Sequence, residues 1–262
     1  MEFYKVDVFT DKPLRGNPAA VVLCMLEDEI MQSLAFELNI SETVFIEKRG
    51  DVFHLRYFTP NTEVEFCGHA TIGAFYILKL KGLKDGVYGA ITKAGEIEVE
   101  VEDMIWLKVV EPKMVESELN GLEDIAGVKI LDSAVVDVGI RIGLAEIEDF
   151  ESLMKLKPDL RLAEFCRDRG IVGVHFYTFD SKFDACTRFF APAVGILEDP
   201  ATGTANSALA YHLNSSGRLA KKYYKFEQGH ALKREGLVHV KLDDGVWVGG
   251  DVVCIAEGRI EI

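Results

Sequence analysis

Cys67-Gly68-His69-Ala70-Thr71-Ile72-Gly73-Ala74-Phe75-Tyr76-Ile77-Leu78 is the stretch on which the reading of this chain turns. From Ala70 to Leu78 it carries no charged residue, so a helix here has no solvent face and must be buried all round, yet it is far too short to span a bilayer. Thr202-Gly203-Thr204-Ala205, running on through Tyr211 and Leu213, repeats the pattern. Each copy is led in by a strand and a proline turn, Arg56-Tyr57-Phe58-Thr59-Pro60 in the first and Arg188-Phe189-Phe190-Ala191-Pro192 in the second. Arg188 follows Arg56 by 132 positions and Gly203 follows Gly68 by 135, which puts a three-residue insertion in the second copy, read here as lying just before its glycine. A period this long describes two similar domains and not a solenoid of short repeats. Chemistry is then expected in a cleft between two facing helix starts.

Working outward, strands are expected at 2–9, 19–23, 43–46, 52–58, 86–92, 95–102 and 104–110, with a helix from Asp28 to about Asn39 and the buried helix from Gly68 to Leu80. Glu111-Pro112 marks a boundary, giving an N-terminal domain 1–112 and a C-terminal domain 113–262, with the strand near 252–262 a candidate to return to the first. In the second half strands are expected near 132–140, 171–179, 184–190, 223–228, 236–242 and 246–256, and helices at 159–169 and 203–213. A strand-rich half with one wholly apolar helix is satisfied by wrapping a curved, mostly antiparallel sheet around that helix. The expected class is therefore α+β; an ordinary sandwich with the helix on one face is the alternative.

Composition excludes several roles. The net charge of −14 repels nucleic-acid phosphates and anionic membranes, and no Lys/Arg cluster offsets it, so neither partner is expected. The N-terminal residues alternate like a strand and lack the basic and apolar blocks of a signal peptide, which points to the cytoplasm. Five scattered cysteines with no Cys-x-x-Cys pair fit reduced thiols, and the six histidines fall at no metal-ligand spacing. No metal is expected.

Gly68 and Gly203 open the two buried helices, where free N–H groups and close backbone approach favour an anionic ligand. His69 follows the first glycine and is a candidate for ligand contact or proton transfer; Thr204, its counterpart, can donate a hydrogen bond but cannot act as a base. Asp199, four residues before the second glycine, is either an acid/base group or a plain Asp-Pro turn. Cys67 could be a thiol base at a helix start, but two-base racemisation would want a second cysteine where Thr202 stands.

Four ordered motifs give these residues a context: Val6-Asp7-Val8-Phe9-Thr10 leading to Gly16-Asn17-Pro18-Ala19-Ala20-Val21; Ser41-Glu42-Thr43; Cys67-Gly68-His69-Ala70-Thr71; and Glu198-Asp199-Pro200-Ala201-Thr202-Gly203-Thr204-Ala205. Together they resemble the phenazine-biosynthesis PhzF family of the diaminopimelate epimerase-like superfamily, over most of the chain. The resemblance implies two pseudo-symmetric barrel-like domains, each around a central helix, in a homodimer. It also implies cofactor-free isomerisation of a small carboxylate by proton movement, with Glu42, His69 and Asp199 catalytic and Asn17, Ser41, Gly68, Gly203 and Thr204 contacting substrate. For Glu42 to remove and return a proton it should be partly desolvated, with a pKa near neutrality. A Cys67-based epimerase or dehydratase and a non-catalytic small-acid-binding protein stay open beside this reading.

Overall fold

The computed structural model describes residues 1–262, which divide into two compact units, Met1–Lys108 with Gly249–Ile262, and Val109–Val248. The first unit contains, in chain order, β1 (Glu2–Val8), β2 (Asn17–Val22), α1 (Asp28–Leu38), β3 (Glu42–Arg49), β4 (Val52–Phe58), β5 (Glu63–Val64), α2 (Gly68–Leu80), β6 (Gly86–Thr92), β7 (Gly95–Val101) and β8 (Ile105–Val109). The chain's last strand, Val252–Arg259, lies antiparallel on the free edge of β1, with Val8 opposite Val252. From that edge the order is β1, β2, β3, β4, β6, β7, β8; only β2–β3 and β4–β6 are parallel. The α1 helix ends where Asn39 turns left-handed (φ 47°), a conformation asparagine tolerates better than branched residues, and this returns the chain directly into Ser41-Glu42.

The second unit runs through β9 (Lys113–Val115), α3 (Leu122–Ala126), β10 (Ile130–Asp137), β11 (Arg141–Ile147), α4 (Phe150–Lys155), α5 (Arg161–Arg169), β12 (Gly173–Thr178), β13 (Ala185–Ala191), β14 (Ile196–Asp199), α6 (Gly203–Ser215), β15 (Tyr223–Gln228) and β16 (Gly236–Leu242). Its strands pair as β9, β10, β11, β12, β13, β15, β16, with β11–β12 and β13–β15 the parallel pairs. This is the first unit's pattern step for step: β10 stands for β1, β13 for β4, β15 for β6 and α6 for α2. Mixed α+β with mostly antiparallel pairing is thus the fold, and each half builds it. Periodicity did not disclose β11, whose Gly143-Leu144-Ala145 run is fully covered, nor the short α3 and α4.

One detail of the repeat reads differently in three dimensions. The three extra residues of the second copy do not sit just before Gly203; they fall between Pro192 and Glu198, where Pro192–Val194 form a 3₁₀ turn closed by Gly195 at φ 84°. Asp199, opposite Phe189, therefore occupies the place that Val64, opposite Tyr57, holds in the first copy. Asp199 is a substitution within the repeat and not part of the insertion.

The α2 helix is 13 residues long, with Ala70 to Phe75 and Ile77 buried, and it packs against β1, β2, β3, β7 and the last strand. It approaches β1 so closely that a Cβ on Gly73 would lie 2.8 Å from Val6 Cγ2 and 3.4 Å from Val8 Cγ2. In an exposed helix Gly→Ala stabilises by about 1 kcal/mol. Here the sign should reverse, because Val6 is a stiff β-branched residue with no room to turn: Gly73→Ala is expected to destabilise by about 1–3 kcal/mol, read from the urea midpoint.

Candidate active site

In the first unit the parallel register of β2 with β3 sets Ala19 opposite Glu42, so the Asn17-Pro18 lead-in lies beside Ser41-Glu42. Ser41 Oγ donates to the Pro18 carbonyl at 2.7 Å and ties the two segments. The α2 start brings the third strand of sequence to the same place. His69 Nε2 lies 3.2 Å from Glu42 Oε2 and 3.3 Å from the Pro18 carbonyl, while its Nδ1 lies 3.3 Å from Cys67 Sγ. Nε2 thus faces two acceptors, whereas Cys67 Sγ can either accept from Nδ1 or donate its own proton to it.

The titration of the pair follows from this geometry. Burial by itself would push the Glu42 carboxyl up, but the hydrogen bond and charge of His69 outweigh it and hold the carboxyl below its ordinary value of 4.5. Burial by itself would push His69 down, yet Cys67 and Glu42 together carry it well above its ordinary 6.5. Burial pushes the Cys67 thiol up, against the opposing pull of His69. These directions favour a carboxylate on Glu42, a protonated Cys67 thiol, and a His69 that holds its proton more tightly than an ordinary imidazole. Glu42 is partly desolvated, 16% exposed, but its pKa moves away from neutrality because the adjacent cation overrides desolvation.

Stability carries the signature of the pair. A depressed Glu42 contributes stability above 4.5 that is lost as pH falls through its folded value; a raised His69 contributes stability below 6.5 that is lost as pH rises through its folded value. Both contributions are complete only between those two limits. The stability difference between the wild type and His69→Gln should accordingly be widest between pH 4.5 and 6.5 and shrink at higher pH, measured by denaturant titration at stepped pH.

The α2 start has no side-chain cap hydrogen bond: its N-cap is Cys67, in extended conformation at φ −146°. The amides of Gly68 and His69 precede the first residue with an intrahelical acceptor, Thr71, whose N–H reaches the Cys67 carbonyl at 3.1 Å. Glycine at 68 is not demanded by backbone sign or by crowding, since a Cβ would meet Leu107 Cδ2 at 3.4 Å and the Phe66 ring no closer than 3.9 Å, ordinary contacts. Its absence of side chain leaves the amides open to a ligand. Asn17 is buried at the start of β2, whereas Ser41, just before β3, is exposed.

The second unit holds the remaining candidates. Asp199 ends β14, Gly203 and Thr204 open α6, and all three are half-buried. Thr202, the α6 N-cap, donates its hydroxyl to Asp199 Oδ2, and again no side chain caps the helix amides. Two donor clusters have the composition of a metal site, Glu42 with Cys67 and His69, and Cys186 with Glu227 and His230, each with its donor atoms within 4.8 Å of one another. In the first, the imidazole nitrogens are engaged by carboxylate and sulfur. In the second, Ser181 Oγ donates to Glu227 at 2.7 Å, His230 Nε2 lies 3.2 Å from the same carboxylate without a hydrogen bond, and burial pushes the Cys186 thiol up to about 12. No helix is long and apolar enough to cross a membrane.

Known proteins give this geometry a family. The chain matches the PhzC-PhzF family, described as phenazine biosynthesis-like protein, over residues 6–258. A curated relative from Halalkalibacterium halodurans, named an uncharacterized isomerase, is 35% identical over an alignment covering 98% of this chain and 97% of the relative. The crystal structure of a PhzF-family phenazine biosynthesis protein from Enterococcus faecalis superposes with a TM-score of 0.87 at 27% identity, covering 100% of this chain and 99% of that one. A hydroxyproline epimerase from Agrobacterium vitis, at 15% identity and a TM-score of 0.64 over 98% of this chain and 91% of its own, shares the epimerase-like fold. The chain belongs to the PhzC-PhzF family of phenazine biosynthesis-like proteins and is an enzyme of the isomerase class.

Proposed function

We propose that this enzyme moves a carbon-bound proton, and with it a double bond, in a small carboxylate substrate, without a cofactor, using Glu42 as the acid/base group. The observation that carries the reading is the Glu42 carboxylate 3.2 Å from the His69 imidazole, beside an uncapped helix start. The substrate carboxylate rests on the Gly68 and His69 amides. Glu42 takes the proton from carbon; the electron pair left behind delocalises towards the carboxylate or a conjugated carbonyl, and the imidazolium and helix amides balance the charge. The same carboxyl then gives the proton back at another carbon. A carboxyl below its ordinary pKa returns a proton easily and accepts one reluctantly, so abstraction is the step that depends on this charge balance. Asp199, Gly203, Thr204, Asn17 and Ser41 are proposed to serve the same reaction.

The test is incubation in deuterium oxide with a panel of small linear and cyclic carboxylates, following deuterium incorporation by proton NMR. Exchange at a carbon adjacent to a carboxylate or conjugated carbonyl supports the reading; binding without exchange at any carbon would favour the small-acid-binding alternative. Cys67 Sγ, 3.3 Å from His69 Nδ1, keeps a thiol-based epimerase or dehydratase in view. Its raised pKa argues against a thiol base. Cys67→Ala is expected to keep exchange within about threefold of the wild type, whereas loss by a factor of roughly a hundred or more would transfer the base role to the thiol.

A further inference from the structure

Behind the Asp199–Thr202 turn lies a chain of buried side-chain amides that the motifs do not include. Gln228 closes β15 and is wholly buried. Its Oε1 accepts from the Thr202 N–H at 3.1 Å, from Asn206 Nδ2 at 2.8 Å and from Thr187 Oγ1 at 3.4 Å; its Nε2 donates to the Asp199 carbonyl at 2.9 Å and to Thr202 Oγ1 at 3.1 Å. A backbone N–H can only donate and a backbone carbonyl only accept, so these two partners fix which end of the amide is which. Asn206, also wholly buried, donates to the Thr202 carbonyl at 2.9 Å, and its Oδ1 faces His175 Nε2 at 3.1 Å. Burial pushes His175 down to about 4, which leaves the ring neutral, with its Nε2 proton pointed at Asn206. The donors therefore run in one direction: Asn206 to Gln228, Gln228 to Thr202 Oγ1, and Thr202 Oγ1 to the Asp199 carboxylate.

The first unit shows that the fold does not require this clamp. Phe226 of β15 stands opposite Ala185 as Ala90 of β6 stands opposite Phe53, so Thr92 holds the place of Gln228 two residues on. Thr92 spends its hydroxyl inside its own hairpin, on the Gly95 carbonyl at 2.9 Å. At the third residue after each helix glycine both units do the same thing: Thr71 Oγ1 donates to the Cys67 carbonyl at 2.8 Å and Asn206 Nδ2 to that of Thr202 at 2.9 Å. The second unit alone adds a residue holding both the N–H of its N-cap and the carbonyl of its acid.

We infer that Gln228 is a positioning residue: it holds the Asp199–Thr202 turn, and through it the Asp199 carboxylate and the open amides at the α6 start, in the geometry the reaction uses. The inference rests on the role proposed above for Asp199, Gly203 and Thr204. The experiment is Gln228→Glu, which keeps the shape but replaces the donor with a titratable oxygen. Above its titration the new carboxylate has no proton to donate to the Asp199 carbonyl or Thr202 Oγ1; protonation restores one donor.

Two readouts are needed from about pH 8 down to about pH 5. In ¹⁵N–¹H spectra the Thr202, Gly203 and Thr204 amides should move with pH in the variant and stay in place in the wild type. Deuterium exchange per folded molecule, on the carboxylate the wild type turns over, should be roughly ten- to a hundredfold slower at the alkaline end and recover along the same curve. A residue that only supports the fold would lower the melting temperature without that pH-dependent recovery. Amides that do not respond, or exchange within about twofold of the wild type at every pH, would overturn the inference. Failure of the functional reading shows separately, as a wild type that exchanges no substrate proton, while the amide shifts still decide whether Gln228 holds the turn.

Discussion

Glu42→Gln is expected to abolish solvent-deuterium incorporation into the substrate, a loss of roughly a thousandfold or more, while substrate binding changes little. Glutamine fills the same space in the half-buried position at the head of β3, and its amide can still meet His69, so the local fold has no reason to change. What it lacks is a lone pair basic enough to take a proton from carbon. The Gly68 and His69 amides, which are proposed to hold the substrate carboxylate, are untouched. The result is read as exchange rate against dissociation constant, the latter by calorimetry on the same carboxylate. Exchange surviving at more than about a tenth of the wild-type rate would remove Glu42 from the base role, and with it the proton-shift mechanism.

The same pair explains why the sequence showed the site only in part. Glycine at a buried helix start is visible in one dimension because it opens both copies of a repeat, and His69 is visible because it follows. Glu42 is not: an acid between a helix and a strand is usually solvated, and only its place in an ordered motif singled it out. Its meaning comes from the β2–β3 register, which carries it to the Pro18 turn and to a residue 27 positions away, His69, and no local pattern encodes that distance. Its pKa departs from the expected near-neutral value for the same reason, since desolvation is legible in a motif while a counter-ion supplied by another element is not. Gln228 lay further out of sight, 29 residues beyond Asp199 and at the end of a strand whose side chains alternate without distinction. The sheet, by contrast, was largely legible, because period-two alternation and glycine turns are local properties. The segments not legible were β11, where both faces are covered and alternation vanishes, and pieces too short to show a period, the strands β5, β9 and β14 and the helices α3 and α4.

The repeat also sets up the largest expected effect on stability. Each copy carries an arginine that grips a glutamate with two parallel hydrogen bonds: Arg56 with Glu63 at 2.7 and 2.8 Å, Arg188 with Glu198 at 2.9 and 2.8 Å. Chemistry is shared; surroundings are not. Arg56 and Glu63 are 23% and 15% exposed, and both have other ionic partners, Asp28 and Lys93. Arg188 and Glu198 are 3% and 6% exposed, and Arg188 Nη1 also donates to the carbonyls of Leu153 and Leu156 at 2.8 Å, tying down the C-terminal end of α4. Removing Arg188 thus strands a buried carboxylate and the Leu156 carbonyl, and leaves the Leu153 carbonyl only the long hydrogen bond from Leu156 N–H at 3.4 Å. Arg188→Met should cost about 3–5 kcal/mol in urea denaturation. Arg56→Met, leaving a carboxylate that water and Lys93 can reach, should cost only about 0–1 kcal/mol. If burial is the cause, the double variant Arg188→Met with Glu198→Leu should recover much of the loss, because no charge then remains without a partner. Equal costs for the two arginines would mean that the fork itself, and not its removal from water, sets the energy.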